Sequence, residues 1–176
     1  ADGSILLSLA SEESNAHKPL KVSTQYAKTD NGYSISGKKN FVIDGNIADY
    51  FIVTATDAEK NGISLFIVDA KSEGISVEKK IMMDSRNAAV VTFENVKATN
   101  ADLIGEEGKG IKTLEKALDI GRIGLSAEML GSMQEAFDRT IAYLKERKQF
   151  GVVIGTFQAL QHRAAQMYCE IELCKS

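Results

Sequence analysis

The chain has 176 residues, 44% of them hydrophobic and 26% charged, with a formal net charge of −3, enough to bury a core as one large or two small domains. Its apolar runs fall far short of the roughly 20 residues that cross a bilayer. Its basic residues form no cluster interleaved with aromatics, so composition argues against a membrane span and against a nucleic-acid groove and for a small-molecule or protein partner.

Six short runs rich in Val, Ile, Thr, Phe and Tyr, separated by turn residues, predict strands over 20–29, 33–42, 50–56, 63–68, 75–82 and 89–96. Asp30-Asn31-Gly32, Asp44-Gly45 and Asn61-Gly62 read as turns, because Asn and Gly both tolerate positive φ. Strands at this spacing, with no helices between them, predict a mainly antiparallel sandwich or barrel. Near Glu107 the pattern changes. Ile111, Leu114, Leu118, Ile123, Leu125, Met129, Met133, Phe137, Ile141 and Leu144 recur mostly three or four apart, which predicts one helix over about 109–148. Residues 149–155 read as a connection, and a second helix starts near Phe157 and runs to the end. The expected fold is therefore α+β: an antiparallel β-barrel or sandwich over 1–105, then long antiparallel helices of an incomplete helical bundle over 106–176. Gly121, Gly124 and Gly131 each cost about 1 kcal/mol against Ala inside a helix, which predicts close approach by another backbone. Two amphipathic helices cannot cover both of their own stripes, so further helices are expected to cover them.

Local chemistry narrows the choices. His17 and His162 have no partner at ligand spacing, so no metal site is expected. Cys169 and Cys174 lie five apart in a helical segment, a spacing of neither a disulfide scaffold nor a zinc knuckle; reduced thiols in an intracellular setting are expected. There is no Gly-x-Ser-x-Gly elbow, no Gly-x-Gly-x-x-Gly turn and no phosphate-loop lysine motif. The densest polar cluster is Lys145-Glu146-Arg147-Lys148-Gln149-Phe150-Gly151. Its residues suit a helix C-terminus capped by glycine, or an anion site in which the Arg147 fork grips a phosphate with Gln149 beside it. Asp119 and Arg122 suit an exposed ion pair three apart on a helix, and Phe41 suits a core aromatic or a cofactor platform. The start at Ala1 without a methionine, and the end inside a helical pattern, suggest a piece of something longer.

Taken in order, these segments resemble the acyl-CoA dehydrogenase family. The run from Gly32-Tyr33 through Gly37-Lys38-Lys39-Asn40-Phe41-Val42-Ile43-Asp44-Gly45 is similar to the family's hairpin and flavin-contacting strand. Val91-Thr92-Phe93-Glu94-Asn95-Val96 and Leu103-Ile104-Gly105-Glu106-Glu107-Gly108 are similar to its exit from the middle β domain. Gly121-Arg122-Ile123-Gly124, Glu146-Arg147-Lys148-Gln149-Phe150-Gly151 and Phe157-Gln158-Ala159-Leu160-Gln161 are similar to its helical signature.

The resemblance implies FAD as cofactor, an acyl-CoA substrate dehydrogenated between its α and β carbons, and an electron-transfer flavoprotein as acceptor. It implies that Arg147, with Gln149, Phe150 and Gln158, contacts the FAD of a neighbouring subunit, and that Phe41 stacks on flavin where Trp is usual. Ile43 falls at the next flavin contact, where Ser or Thr is usual, and Asp119 and Arg122 fall beside the acyl-CoA. It further implies a homo- or hetero-oligomer of at least two related subunits, in the cytoplasm, or in the mitochondrial matrix of a eukaryote. Departures accompany the matches. The family's Thr-Glu-Pro and Gly-Ser-Asp turn falls at Ser11-Glu12-Glu13 and Ser14-Asn15-Ala16-His17-Lys18, without glycine. Gly121 occupies the position before Arg122 where some subfamilies carry the base, and no catalytic glutamate is visible. These departures leave a second reading: a non-catalytic subunit that completes the FAD site of an active homologue.

Overall fold

Alternation of apolar and polar residues puts one face of each main strand inside. In β4 (Tyr50–Ala55) Phe51, Val53 and Ala55 point inward, and in β7 (Asn87–Ala98) Ala89, Val91 and Phe93 do. The computed structural model describes residues 2–176 and divides the chain into two compact units, one ending at Glu115 and the other spanning Lys116–Ser176.

The first unit holds two four-stranded sheets. One runs β1 (Leu7–Ala10), β4, β5 (Ser64–Asp69) and β8 (Leu103–Ile104); the other runs β2 (Gln25–Thr29), β3 (Gly32–Ile43), β7 and β6 (Ile75–Ile81). Their inner faces share one core, in which Tyr26 meets Phe66 at 5.2 Å and Phe51 meets Phe93 edge-on at 6.1 Å between ring centroids. The sheets stay separate, so the fold is the sandwich of the two expected forms, and no barrel closes. All pairings are antiparallel except β1 with β4, which are parallel.

Three details differ from the sequence reading. β1 was not expected. The strand expected from residue 20 starts only at Gln25, because Lys18 to Lys21 form a turn and the Glu13 carboxylate takes the N–H groups of Ser23 and Thr24 at 2.6 and 2.9 Å. The loop between β2 and β3 has two residues, Asp30 and Asn31, and Gly32 takes the positive φ, 141°, that the turn signal allowed it. A Cβ there would lie 2.2 Å from the Ala98 carbonyl oxygen. The third difference is in the following turn, where Asp44 rather than Gly45 takes the positive φ.

The second unit is built on α1 (Ile111–Glu146), whose first residues belong to the first unit, and on α2 (Gln158–Lys175). Within it Phe137 of α1 meets Tyr168 of α2 at 6.2 Å, and Ile171 is buried. Between the helices the expected connection forms a small hairpin, β9 (Lys148–Gln149) with β10 (Val152–Val153). Beyond the helix's own backbone, no atom of the described residues lies within 4 Å of a Cβ placed on Gly121, Gly124 or Gly131, so the close approach expected there is not made among the described residues. Ile120, Ile123, Leu125 and Met129 are exposed. No described helix is long and apolar enough to cross a membrane.

Candidate cofactor site

Strict alternation from Tyr33 and Ile35 would turn Lys39 and Phe41 into the core. Lys39 does go in, fully buried, but the register slips between Lys39 and Val42 as they pair with Val91 and Ala89. The extra residue forms a bulge in which Phe41 takes a φ of 52°, Val42 turns inward and the Phe41 ring turns out, 50% exposed. Beside the ring lies a cavity of about 430 Å³, lined also by Glu12, Asn15, Ala16, His17 and Asn40.

The segment bearing Glu12 to His17 is tied to this bulge. Asn40 donates its backbone N–H to the Glu12 carbonyl oxygen at 2.7 Å and its side-chain amide to the Glu13 carbonyl oxygen at 2.8 Å. The Glu12 carboxylate takes the Lys18 N–H at 2.9 Å and meets His17 Nδ1 at 2.6 Å. Beneath, Lys39 Nζ donates to Glu13 Oε1 at 2.6 Å and to Thr54 Oγ1 at 2.8 Å. Burial pushes the Lys39 ammonium down to about 8, against the pull of Glu13. Burial also pushes the Glu13 carboxyl up, but the Lys39 hydrogen bond and charge outweigh it and hold Glu13 below its usual value. The sequence reading passed over this pair, although the period-two pattern placing Lys39 beside Tyr33 and Ile35 marks a lysine that must find a buried partner.

Ile43 also faces out, 46% exposed, but it does not line the cavity. Its carbonyl accepts the Ser8 hydroxyl, and its side chain has no donor. The turn over 14–17 lacks glycine yet keeps donors: Ala16 N–H goes to Ser14 Oγ at 3.3 Å, and the N–H groups of Asn15 and His17 find no acceptor among the described residues. An aromatic wall with free backbone N–H groups beside it fits a planar, hydrogen-bonding cofactor.

The second group of candidates lies wholly in the second unit. α1 ends at Glu146, and the Arg147 carbonyl takes the Ile154 N–H at 2.8 Å, which starts the β9–β10 hairpin. Gln149 pairs with Val152, so Phe150 and Gly151 form a two-residue turn with φ of 54° and 79°. Positive φ at both is the type I′ geometry that matches strand twist. Gly151 therefore serves the hairpin and does not cap the helix. The turn presents the Phe150 ring, 90% exposed and 6.1 Å from Phe157, while Arg147 and Gln149 are exposed and Gln158 opens α2. On α1, Arg122 Nη1 meets Asp119 Oδ1 in an ion pair more than half exposed on both sides, worth a few tenths of a kcal/mol to the helix.

The family model for the acyl-CoA dehydrogenase middle domain matches residues 8–96, and that for the C-terminal domain matches residues 108–176. The chain belongs to the acyl-CoA dehydrogenase family. Short/branched chain specific acyl-CoA dehydrogenase of Bos taurus is 38% identical over 171 residues, which are 94% of this chain and 40% of that protein. The solved butyryl-CoA dehydrogenase of Megasphaera elsdenii superposes with a TM-score of 0.86 at 32% identity, covering 96% of this chain and 46% of that one. A solved FAD-dependent dehydrogenase gives 0.85 at 31% identity, over 94% of this chain and 46% of its own. The chain thus spans less than half the length of each of these three proteins.

Proposed function

We propose that the full-length protein is an FAD-dependent oxidoreductase that dehydrogenates an acyl-CoA thioester between its α and β carbons. The observation that carries this reading is the Phe41 bulge, which turns an aromatic ring out of a family middle domain and onto a cavity of about 430 Å³. Bound FAD would supply the two-electron acceptor that no side chain provides. Phe41 would offer it a flat apolar surface, and the Asn15 and His17 N–H groups its hydrogen bonds. Ile43 would contribute apolar contact only. Arg147, Gln149, Phe150 and Gln158 are assigned to the FAD of a neighbouring subunit, with Arg147 gripping the diphosphate, and Asp119 and Arg122 to the acyl-CoA. These roles require at least a dimer, with an electron-transfer flavoprotein as the acceptor and the cytoplasm or a mitochondrial matrix as the setting. Residues 1–105 would form the middle β domain and 106–176 the start of the helical C-terminal domain.

A second reading, a subunit that only completes a homologue's site, draws on the lack of a hydroxyl at Ile43 and of glycine over 14–17. Anaerobic addition of short and branched acyl-CoA thioesters to the flavin-loaded full-length protein separates the two. Loss of flavin absorbance with formation of the 2-enoyl thioester is expected. No loss alone, but loss after mixing with a homologue, would establish the second reading instead.

A further inference from the structure

The turn over 14–17 carries the backbone donors of the candidate cofactor site, yet little in its own packing holds it. Ser14, Asn15, Ala16, His17 and Lys18 are all exposed. Two cavities flank the segment: the one beside Phe41 reaches Glu12 and residues 14–17, and a second of about 430 Å³ reaches Glu13, Ser14, Lys18 and Thr24. A stretch with no buried side chain keeps one position only through what grips its ends. At the far end that grip is the buried Pro19, and at the near end it is Glu12 and Glu13.

The near grip comes from the two residues that precede Phe41 in β3. Asn40 binds the carbonyl oxygens of Glu12 and Glu13 with its backbone N–H and its side-chain amide. Lys39, fully buried, reaches the Glu13 carboxylate from beneath at 2.6 Å, and the same carboxylate takes the Ser23 and Thr24 N–H groups. The strand that bears the aromatic ring is therefore also the strand that fixes the base of the turn. A buried ammonium is expensive to keep, and what it does here that a methylene could not is hold a carboxylate facing inward. Once that charge is lost, Glu13 gains by turning toward water and takes the start of the turn with it.

We propose that Lys39 and Glu13 are positioning residues for the flavin: their ion pair holds the 14–17 turn at a fixed distance from the Phe41 ring, so that the Asn15 and His17 N–H groups meet the cofactor that the ring supports. This rests on the flavin reading above. It carries a pH dependence with a definite sign. Burial lowers the Lys39 ammonium to about 8, against the pull of Glu13 and, at longer range, of Glu12. The other elements packed on it bring no titratable side chain there: β4 offers the Thr54 hydroxyl, β7 places Val91 opposite, and β1 consists of Leu, Ser and Ala. Above about pH 8 the ammonium is lost, the grip on Glu13 weakens, and FAD affinity falls as pH rises.

Titration of the flavin-freed full-length protein with FAD tests this, followed by flavin fluorescence and by the visible circular dichroism of the bound flavin. The wild type is expected to hold FAD with level affinity below about pH 7.5 and to lose about tenfold between about pH 8 and 9.5. Lys39→Met is expected to bind FAD about tenfold less tightly at neutral pH, with a weakened dichroic band and no alkaline fall. Thr54→Val keeps the shape of β4 and lies outside the cofactor cavity, but it removes an acceptor from Lys39. Its alkaline fall should begin about one pH unit lower, while its affinity below about pH 6.5 matches the wild type. If Lys39→Met does not fold, the wild-type and Thr54→Val profiles still decide. FAD affinity and dichroism unchanged in Lys39→Met, or an alkaline fall that persists in that variant or stays in place in Thr54→Val, would overturn the proposal and leave the flavin reading standing. A wild type that takes up no FAD at any pH would bring down both.

Discussion

Taking the Lys39 ammonium out of water costs several kcal/mol, and its contacts with Glu13 and Thr54 return only part of that. Glu13→Gln leaves a buried cation without its counter-charge and is expected to lower stability by about 3 kcal/mol in a denaturant titration. Lys39→Met is expected to cost less, because the Glu13 carboxylate still has two backbone donors. The pH dependence separates the two partners. The folded Lys39 value of about 8 lies below the usual 10.5, so between these values the unfolded chain holds a proton that the folded chain has released. Stability of the wild type relative to Lys39→Met should therefore rise between pH 8 and 10.5, by on the order of 3 kcal/mol. The Glu13 value is lowered on folding, so its contribution is present above the usual carboxyl value and is lost as pH falls through the folded one. Phe41 has the opposite character, because its left-handed backbone is a cost borne at the proposed cofactor surface. Phe41→Gly should leave stability without cofactor unchanged or raise it by up to about 1 kcal/mol, while FAD dissociates at least tenfold faster. A loss of stability with flavin retention intact would show that the ring serves the core.

Among the elements, legibility followed length and periodicity. The long strands and both helices could be read because many residues repeat one spacing. β1 has four residues and exists through its parallel pairing with β4, a partner more than 40 positions away that no local pattern announces. Residues 20–24 have strand-like composition, but Lys21 gives its N–H to a turn and Ser23 and Thr24 give theirs to Glu13. The bulge that turns Phe41 outward is equally invisible, since alternation alone would bury that ring; the site residues were found through the family resemblance, and their geometry came from the register slip. At Gly32 the turn signal pointed to a residue that does take positive φ. Gly32→Ala should cost more than about 2 kcal/mol, because the new methyl would meet the Ala98 carbonyl and the backbone is left-handed. Thermal unfolding of this variant beside Asn31→Ala checks it, and equal melting temperatures would refute the placement.

At the scale of the molecule, the two units carry different parts of one proposed function. The first presents an aromatic ring and cavities on either side of the Glu12 to Lys18 segment; the second presents Arg147 and Phe150 on a tight hairpin, with Ile120, Ile123 and Leu125 of α1 exposed. Helical glycines with no other part of the described residues near them, beside exposed apolar residues, are the pattern of a helix face that packs against something further. The central claim is that this chain belongs to a flavoprotein. The visible absorption spectrum of the purified full-length protein, before and after adding FAD, tests it most directly. A flavin band retained through gel filtration at one flavin per chain, and weakened at least tenfold by Arg147→Lys because an ammonium cannot grip a diphosphate in two places, is the expected result. A protein that stays colourless in excess FAD, alone and with a homologue present, would contradict it.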